Sequence, residues 1–127
     1  MLLIAIAAGG AFGALARFGL VAWVHGWAGA AFPWGTLAVN ATGSLCLGLA
    51  ARLFEGVAAP AEVRAFVVVG LLGAFTTFST FSYEAVSLIQ GGAWARAAAY
   101  AFGSLLVGAA GVAIGLALAA WILRQGG

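Results

Sequence analysis

The sequence contains no lysine or aspartate, and it has one cysteine and one histidine. Only 6% of its 127 residues are charged and 65% are hydrophobic, whereas ordinary soluble domains carry roughly 25% charged residues. The single Cys46 excludes an intrachain disulfide and a metal site built from several cysteines. The five arginines are dispersed along the chain, so the sequence offers no basic patch for nucleic acid. Lipid, rather than water, is the solvent that this composition suits.

The scarcity of catalytic side chains argues against an enzyme that works inside the membrane. His25 is the only histidine and lies beside a predicted loop, and no lysine is present. Neither a serine–histidine nor a serine–lysine pair can therefore be placed at membrane depth. We expect the chain to have no enzymatic activity.

Four long apolar stretches dominate the sequence. A membrane-spanning helix needs roughly 20 mainly apolar residues, and the stretches that qualify cover about residues 2–24, 33–54, 64–90 and 94–123. All five tryptophans lie near the ends of these stretches, where indole rings favour the boundary between headgroups and hydrocarbon. The first stretch has no basic start and no clear cleavage site, which favours a retained helix over a signal peptide. We predict an all-α membrane protein with one transmembrane domain over residues 1–127.

The distribution of arginine between the two sides of the membrane is nearly even. With four spans, both termini and the second loop share one side, which holds Arg52, Arg64 and Arg124. The other side holds Arg96, and Arg17 as well if that side chain reaches the interface. Three arginines against two give a weak positive-inside signal, and such signals normally set orientation. The arginines therefore leave the orientation undecided, and our hypothesis is that the protein inserts in both orientations and pairs as an antiparallel dimer.

Small and polar residues recur at helical spacing in three of the predicted helices. Glycines follow this spacing in the first and fourth helices, where plain helix packing is the ordinary explanation. In the second helix Thr36, Asn40 and Ser44 lie four residues apart and share one face. An amide near the bilayer midplane is costly unless it has a partner. Asn40 is therefore interpreted either as the lining of a polar path or as one partner in an interhelical hydrogen bond.

Arg17 lies inside the first predicted helix, about seven residues or roughly 10 Å from its end. One interpretation is that its side chain snorkels to the interface. The other is that it lines a vestibule that concentrates anions.

The third predicted helix contains the most unusual segment. Residues 70–82 include two glycines, five hydroxyl residues and three phenylalanines. We predict that the helix is broken there, near the midplane, because non-helical backbone is tolerated at that depth only when it is buried in protein or lines a water-filled cavity. Many transporters build their ion sites at such breaks. Phe78 and Phe81 project from roughly the same face, and the positive edges of their rings can solvate an anion.

Three motifs occur in order over essentially the whole chain. They are GGAFGALAR at residues 9–17, PWGTLAVNATGS at 33–44 and GAFTTFSTFSYE at 73–84. Together they resemble the Fluc/CrcB family of fluoride channels. Leu72 and Ala74 depart from that pattern, since relatives often have Cys and Gly at those positions.

The resemblance implies a dual-topology, antiparallel homodimer in the lipid of the bacterial inner membrane, with two pores that conduct fluoride passively out of the cytoplasm. It implies a structural sodium ion at the dimer centre, held by the backbone carbonyls of Gly73 and Thr76. It matches Arg17 to a vestibule arginine and Glu84 to an acidic position at the end of the break, and Thr36 is a further candidate for a polar or gating role. The residues that it places along the pores are Asn40, Phe78, Phe81, Ser79, Thr80, Tyr100 and Ser104.

Two other functions remain open from the residues alone. A small proton-coupled exporter would need a carboxylate inside the membrane that titrates between substrate and protons. Glu84 is the only candidate for that role. A purely structural membrane subunit is the other possibility, and it predicts no ion flux.

Overall fold

The computed structural model of the chain describes residues 1–126, all of whose regular elements are helical. Between α3 and α4 the segment Ala65–Leu72 is π-helical, so its backbone bonds run from residue i to residue i+5. The α-helices are α1 (Leu2–Ala28), α2 (Trp34–Gly56), α3 (Ala61–Arg64), α4 (Gly73–Phe75), α5 (Phe78–Gln90) and α6 (Trp94–Gln125).

In these residues, four stretches are long and apolar enough to cross a membrane, which confirms the prediction of an all-α membrane protein with four spans. The spans are Leu2–Ala28, Trp34–Gly56, Ala61–Gln90 and Trp94–Gln125. We call Ala61–Gln90 the third span.

The ends of the first and third spans differ from the predicted ones for local reasons. α1 continues four residues beyond the predicted end at residue 24 and stops at Gly29, whose φ of 74° is a backbone conformation that favours glycine. The third span begins at Ala61, directly after Pro60. Proline has no N–H to lose at a helix start, so Pro60 is a natural boundary.

Glycines on α1 bring its backbone against the π-helical segment. A Cβ atom added to Gly9 would clash with the carbonyl oxygen of Phe66, and one added to Gly13 would clash with that of Leu71. A Cβ added to Gly70, on the facing segment, would lie 2.6 Å from the carbonyl oxygen of Ile6. Small residues allow this approach, so the glycine stripe of the first helix is used for contacts inside the chain.

α2 and α6 approach each other in the same way. A Cβ on Gly48 would clash with the carbonyl oxygen of Val112, and a Cβ on Gly115 would clash with that of Leu45. Gly108, Gly111 and Gly115 of the fourth predicted helix therefore face α2 of the same chain.

The core within one chain is small, and polar groups form part of it. The largest fully buried side chains are Tyr100, Val39 and Thr36, of which two carry hydroxyl groups. Large apolar side chains cover the outside, including Phe18, Leu105 and Leu106. An outer surface of this kind suits hydrocarbon, while the buried hydroxyls need polar partners inside the fold.

The third span contains two residues with extended backbone. α4 ends at Phe75, Thr76 has ψ of 156° and Thr77 has φ of −149° and ψ of 114°. α5 then begins at Phe78. Fifteen residues of the span precede this pair and thirteen follow it, so the extended pair lies halfway along the span.

Candidate functional site

Asn40 binds the backbone of the extended pair through both ends of its amide. Its Nδ2 donates to the carbonyl oxygen of Thr77 at 3.0 Å, and its Oδ1 accepts from the Thr77 N–H at 2.8 Å. The two bonds join the middle of α2 to residues 37 positions later in the chain. This is the interhelical hydrogen bond that the sequence left open for Asn40, and it pairs both backbone groups of an extended residue.

Thr77 also caps the helix that follows it. Its Oγ1 accepts from the N–H of Thr80 at 3.3 Å and donates to Thr80 Oγ1 at 3.0 Å. The hydroxyl of Ser79 lies 3.5 Å from the same oxygen. Threonine is a favoured N-cap because its oxygen pairs an N–H that the first turn leaves free, so α5 starts with three linked hydroxyls beside the extended pair.

A groove of about 330 Å³ runs along the extended pair and opens to the outside of the chain. At its floor, the hydroxyl oxygen of Ser104 is buried and has no hydrogen-bond partner within residues 1–126. A buried hydroxyl without a partner costs free energy, so within residues 1–126 Ser104 has a donor that is not used. The groove is lined by Asn40, Ser44, Leu47, Thr76, Thr77, Phe78, Phe81, Ala101, Ser104, Leu105 and Gly108.

Aromatic rings continue from this groove into the fold. The ring centroids of Phe78 and Phe81 are 5.7 Å apart, and those of Phe81 and Tyr100 are 5.1 Å apart. Tyr100 in turn meets the edge of Phe32 at 5.5 Å and 82°. Phe78 is 79% exposed in the single chain, whereas Tyr100 is fully buried. The row of rings thus runs from the open surface to the buried hydroxyl of Tyr100.

Glu84 is held at the inner end of this row. Its Oε1 accepts from Thr36 Oγ1 at 2.9 Å and its Oε2 accepts from the Tyr100 hydroxyl at 2.7 Å. Both donors are buried, with Thr36 1% exposed and Tyr100 0% exposed. Hydrogen bonds to a carboxylate are among the stronger ones in proteins. They join α2, α5 and α6 at one point.

The structure therefore brings most of the predicted site residues together, but not Arg17. That residue lies half-buried on α1, outside the lining of the groove. Among residues 1–126 its guanidinium has no hydrogen-bond or salt-bridge partner. Ser79 and Thr80 are exposed, and they reach the site through Thr77 rather than from the groove wall.

The sequence gives further evidence when it is compared with known proteins. The family model for CrcB-like proteins, with the description Camphor Resistance (CrcB), matches residues 4–116. A protein of Thermus thermophilus with the name fluoride-specific ion channel FluC is 55% identical over 103 residues, 81% of this chain and 81% of that protein. Proteins with the same name from Rhodospirillum centenum and Hahella chejuensis are 47% and 48% identical over 118 and 122 residues. These matches cover 92% and 95% of this chain, and 94% and 96% of those proteins. The chain belongs to the CrcB family.

Membership in the CrcB family, together with the four spans, makes the chain a multi-pass bacterial membrane protein. The family is one of ion channels rather than of enzymes, so the expectation of no enzymatic activity is confirmed. The resemblance drawn from the three sequence motifs is confirmed as well.

One residue of the candidate site was not predicted from the sequence. Thr77 was part of the third motif, but it was not singled out as a site residue. In the structure it receives both bonds from Asn40 and caps α5. A threonine directly before a helix start is a recognised signal for an N-cap, and that signal could have identified it.

A cation near Gly73 and Thr76 would be bound by neutral oxygen atoms. Residues 1–126 contain no group of three or more His, Cys, Asp or Glu side chains that could hold a metal ion. Gly73 is exposed and Thr76 is half-buried. Thr76 is one of the two extended residues, and Gly73 begins the short helix α4 directly before them. Carbonyl groups at an unwound point of a helix suit sodium, so the donor set fits an alkali cation.

Proposed function

We propose that the chain is a fluoride-selective channel that passively exports fluoride from the cytoplasm across the bacterial inner membrane. It works as an antiparallel homodimer with two pores and a structural sodium ion between the copies. The observation that carries the proposal is the open groove beside the extended pair, lined by phenyl rings, an amide and hydroxyls. The FluC names of its CrcB relatives supply the identity of the ion.

The groove offers the contacts that a small, strongly hydrated anion needs. A pore has to replace the ion's water without binding it too tightly. Asn40 uses one amide N–H on the Thr77 carbonyl, and a primary amide has a second N–H. Ser104 has a hydroxyl that is not bonded within residues 1–126. Phe78 and Phe81 add the positive edges of their rings, so several modest donors line one path.

A second copy of the chain is proposed because one copy leaves the path open. Phe78 is 79% exposed and the groove has no wall on its outer side. Polar groups that face hydrocarbon without a partner are costly, so a protein surface is a better cover than lipid. The near balance of arginines between the two ends suits insertion in both orientations, and it supports an antiparallel arrangement of the copies.

Sodium is assigned to the carbonyls of Gly73 and Thr76, where the helix is interrupted halfway along the third span. We place this interruption near the membrane midplane. Two carbonyls from each copy would surround the ion between the chains, where its charge offsets the partial negative charge of the oxygens. The ion's role is structural, because it would hold the two interrupted spans together.

The remaining assigned residues lie toward the two ends of the path. Arg17 would attract anions to a vestibule, because its guanidinium has no partner within residues 1–126. Thr36, Tyr100 and Glu84 form the polar contact at the inner end of the aromatic row. That position suits a polar or gating role for Thr36 and Glu84, with Tyr100 along the path.

The test is ion efflux from liposomes that contain the purified protein, measured separately with fluoride and with chloride. We expect rapid fluoride efflux, little chloride efflux and no dependence on a proton gradient. Equal chloride efflux would falsify the selectivity. An absence of flux would favour the structural subunit, and proton-driven transport that is lost in Glu84→Gln would favour the exporter.

A further inference from the structure

We propose that Asn40 and Thr77 are positioning residues for the sodium site. The side chain of each binds a backbone N–H that would otherwise pair with one of the two carbonyls assigned to sodium, those of Gly73 and Thr76. In a continuous α-helix, Gly73 would receive the N–H of Thr77, and Thr76 would receive the N–H of Thr80. The inference rests on the proposed function, which assigns these two carbonyls to sodium.

Both N–H groups have other partners in the structure. The Thr77 N–H donates to Asn40 Oδ1 at 2.8 Å, and the Thr80 N–H donates to Thr77 Oγ1 at 3.3 Å. The amide of Asn40 also donates to the Thr77 carbonyl at 3.0 Å, which holds Thr77 in its extended conformation. Two side chains, one on α2 and one in the interruption itself, thus release the two carbonyls separately.

The loss of helical hydrogen bonds to backbone carbonyls begins at a defined residue. The carbonyl of Leu72 still receives the N–H of Thr76 at 3.0 Å, and the Thr76 hydroxyl also donates to it at 3.0 Å. Leu72 is therefore fully paired, and Gly73 is the first carbonyl whose helical donor has been diverted. Away from water, a carbonyl without its donor needs another partner, and a cation can supply one.

The first experiment measures sodium binding without reference to ion flux. The thermal unfolding midpoint of the purified full chain is recorded against sodium chloride concentration, with N-methylglucamine chloride holding the ionic strength constant. We expect sodium to raise the midpoint of the wild-type protein. Asn40→Leu and Thr77→Val should each raise the half-saturating sodium concentration about tenfold, the equivalent of one lost hydrogen bond.

Two control variants separate this role from general damage. Thr77→Ser retains the capping hydroxyl and should keep the sodium response of the wild type. Ser44 lies one turn from Asn40 and lines the same groove. Ser44→Ala removes a hydroxyl from the groove without touching either N–H, and it should keep the wild-type response as well. A sodium response in Asn40→Leu and Thr77→Val that equals the wild type overturns the inference.

A second measurement does not depend on the folding of any variant. Hydrogen exchange of the wild-type protein in sodium should show slow exchange at the amides of Thr77 and Thr80, since both are hydrogen-bonded. Fast exchange at either amide overturns the inference. Fluoride efflux from the same preparation separates the two proposals. A wild-type protein that conducts fluoride without any sodium response overturns this inference together with the sodium assignment, and leaves the fluoride channel standing. One that responds to sodium without conducting fluoride overturns the proposed channel.

Discussion

The hydroxyl of Tyr100 donates to Glu84 at 2.7 Å while its ring lies 5.1 Å from that of Phe81. One side chain of α6 thus contacts both the carboxylate and the aromatic row. The ring contact and the hydrogen bond can be separated by removing a single oxygen atom.

Tyr100→Phe should keep the aromatic contacts and lose the bond to Glu84. We expect the free energy of unfolding to fall by about 1–2 kcal/mol, because a half-buried carboxylate oxygen loses its donor. Fluoride efflux should fall as well. The control is Tyr83→Phe, since Tyr83 is the other tyrosine and is 76% exposed. Denaturant unfolding in detergent measures both variants, and equal losses of stability would contradict the assignment.

Phe81→Ile should abolish most fluoride efflux without unfolding the protein. Isoleucine fills similar space but has no ring edge with positive potential, so we expect efflux to fall by about tenfold or more. Phe102→Ile is the matched control, because Phe102 is an exposed phenylalanine of α6 outside the groove. Liposome efflux is the measurement. If the two variants conduct fluoride equally well, Phe81 has no special role in the path.

Gly115→Ala should destabilise the contact between α2 and α6. Its added methyl group would clash with the carbonyl oxygen of Leu45, and a backbone atom cannot move aside as a side chain can. We expect a loss of about 1–3 kcal/mol in the free energy of unfolding. Gly103→Ala is the control on the same helix, because an added Cβ there meets no atom within 4 Å. A stability loss in Gly103→Ala as large as in Gly115→Ala would rule out the close approach as the cause.

The proposed antiparallel dimer predicts that C-termini lie on both sides of the membrane. Gln125→Cys in a Cys46→Ala background places a single thiol near the end of α6. We expect a membrane-impermeant thiol reagent to label about half of the protein in intact cells, and all of it after permeabilisation. Labelling of all the protein, or of none, in intact cells would contradict insertion in both orientations.

The sequence was sufficient to predict the four spans because long apolar runs have few other uses in a chain of this size. It also indicated the segment that contains the extended pair, since glycines and hydroxyl residues cluster around Thr76 and Thr77. For Asn40 it offered two alternatives, the lining of a path and an interhelical bond. The structure shows the bond, to Thr77, and places the same side chain along the groove, while its role in a path stays a prediction.

Other relationships depend on how distant segments meet, which a single sequence does not record. Thr36 and Glu84 are 48 residues apart and bind directly, yet no local pattern links them. The helical spacing of the glycines also did not show which segment each glycine packs against. In the structure, Gly9 packs against the backbone of the π-helical segment and Gly115 packs against the backbone of α2.

The extended pair divides the third span between different neighbours. The π-helical segment and α4 pack against α1, whereas α5 packs against α6 and is bonded to it through Glu84. The two halves of one transmembrane segment therefore pack mainly against different helices, and α2 contacts both of them. Substitutions on the α1-facing side of the first half and on the α6-facing side of the second should therefore have additive effects on stability.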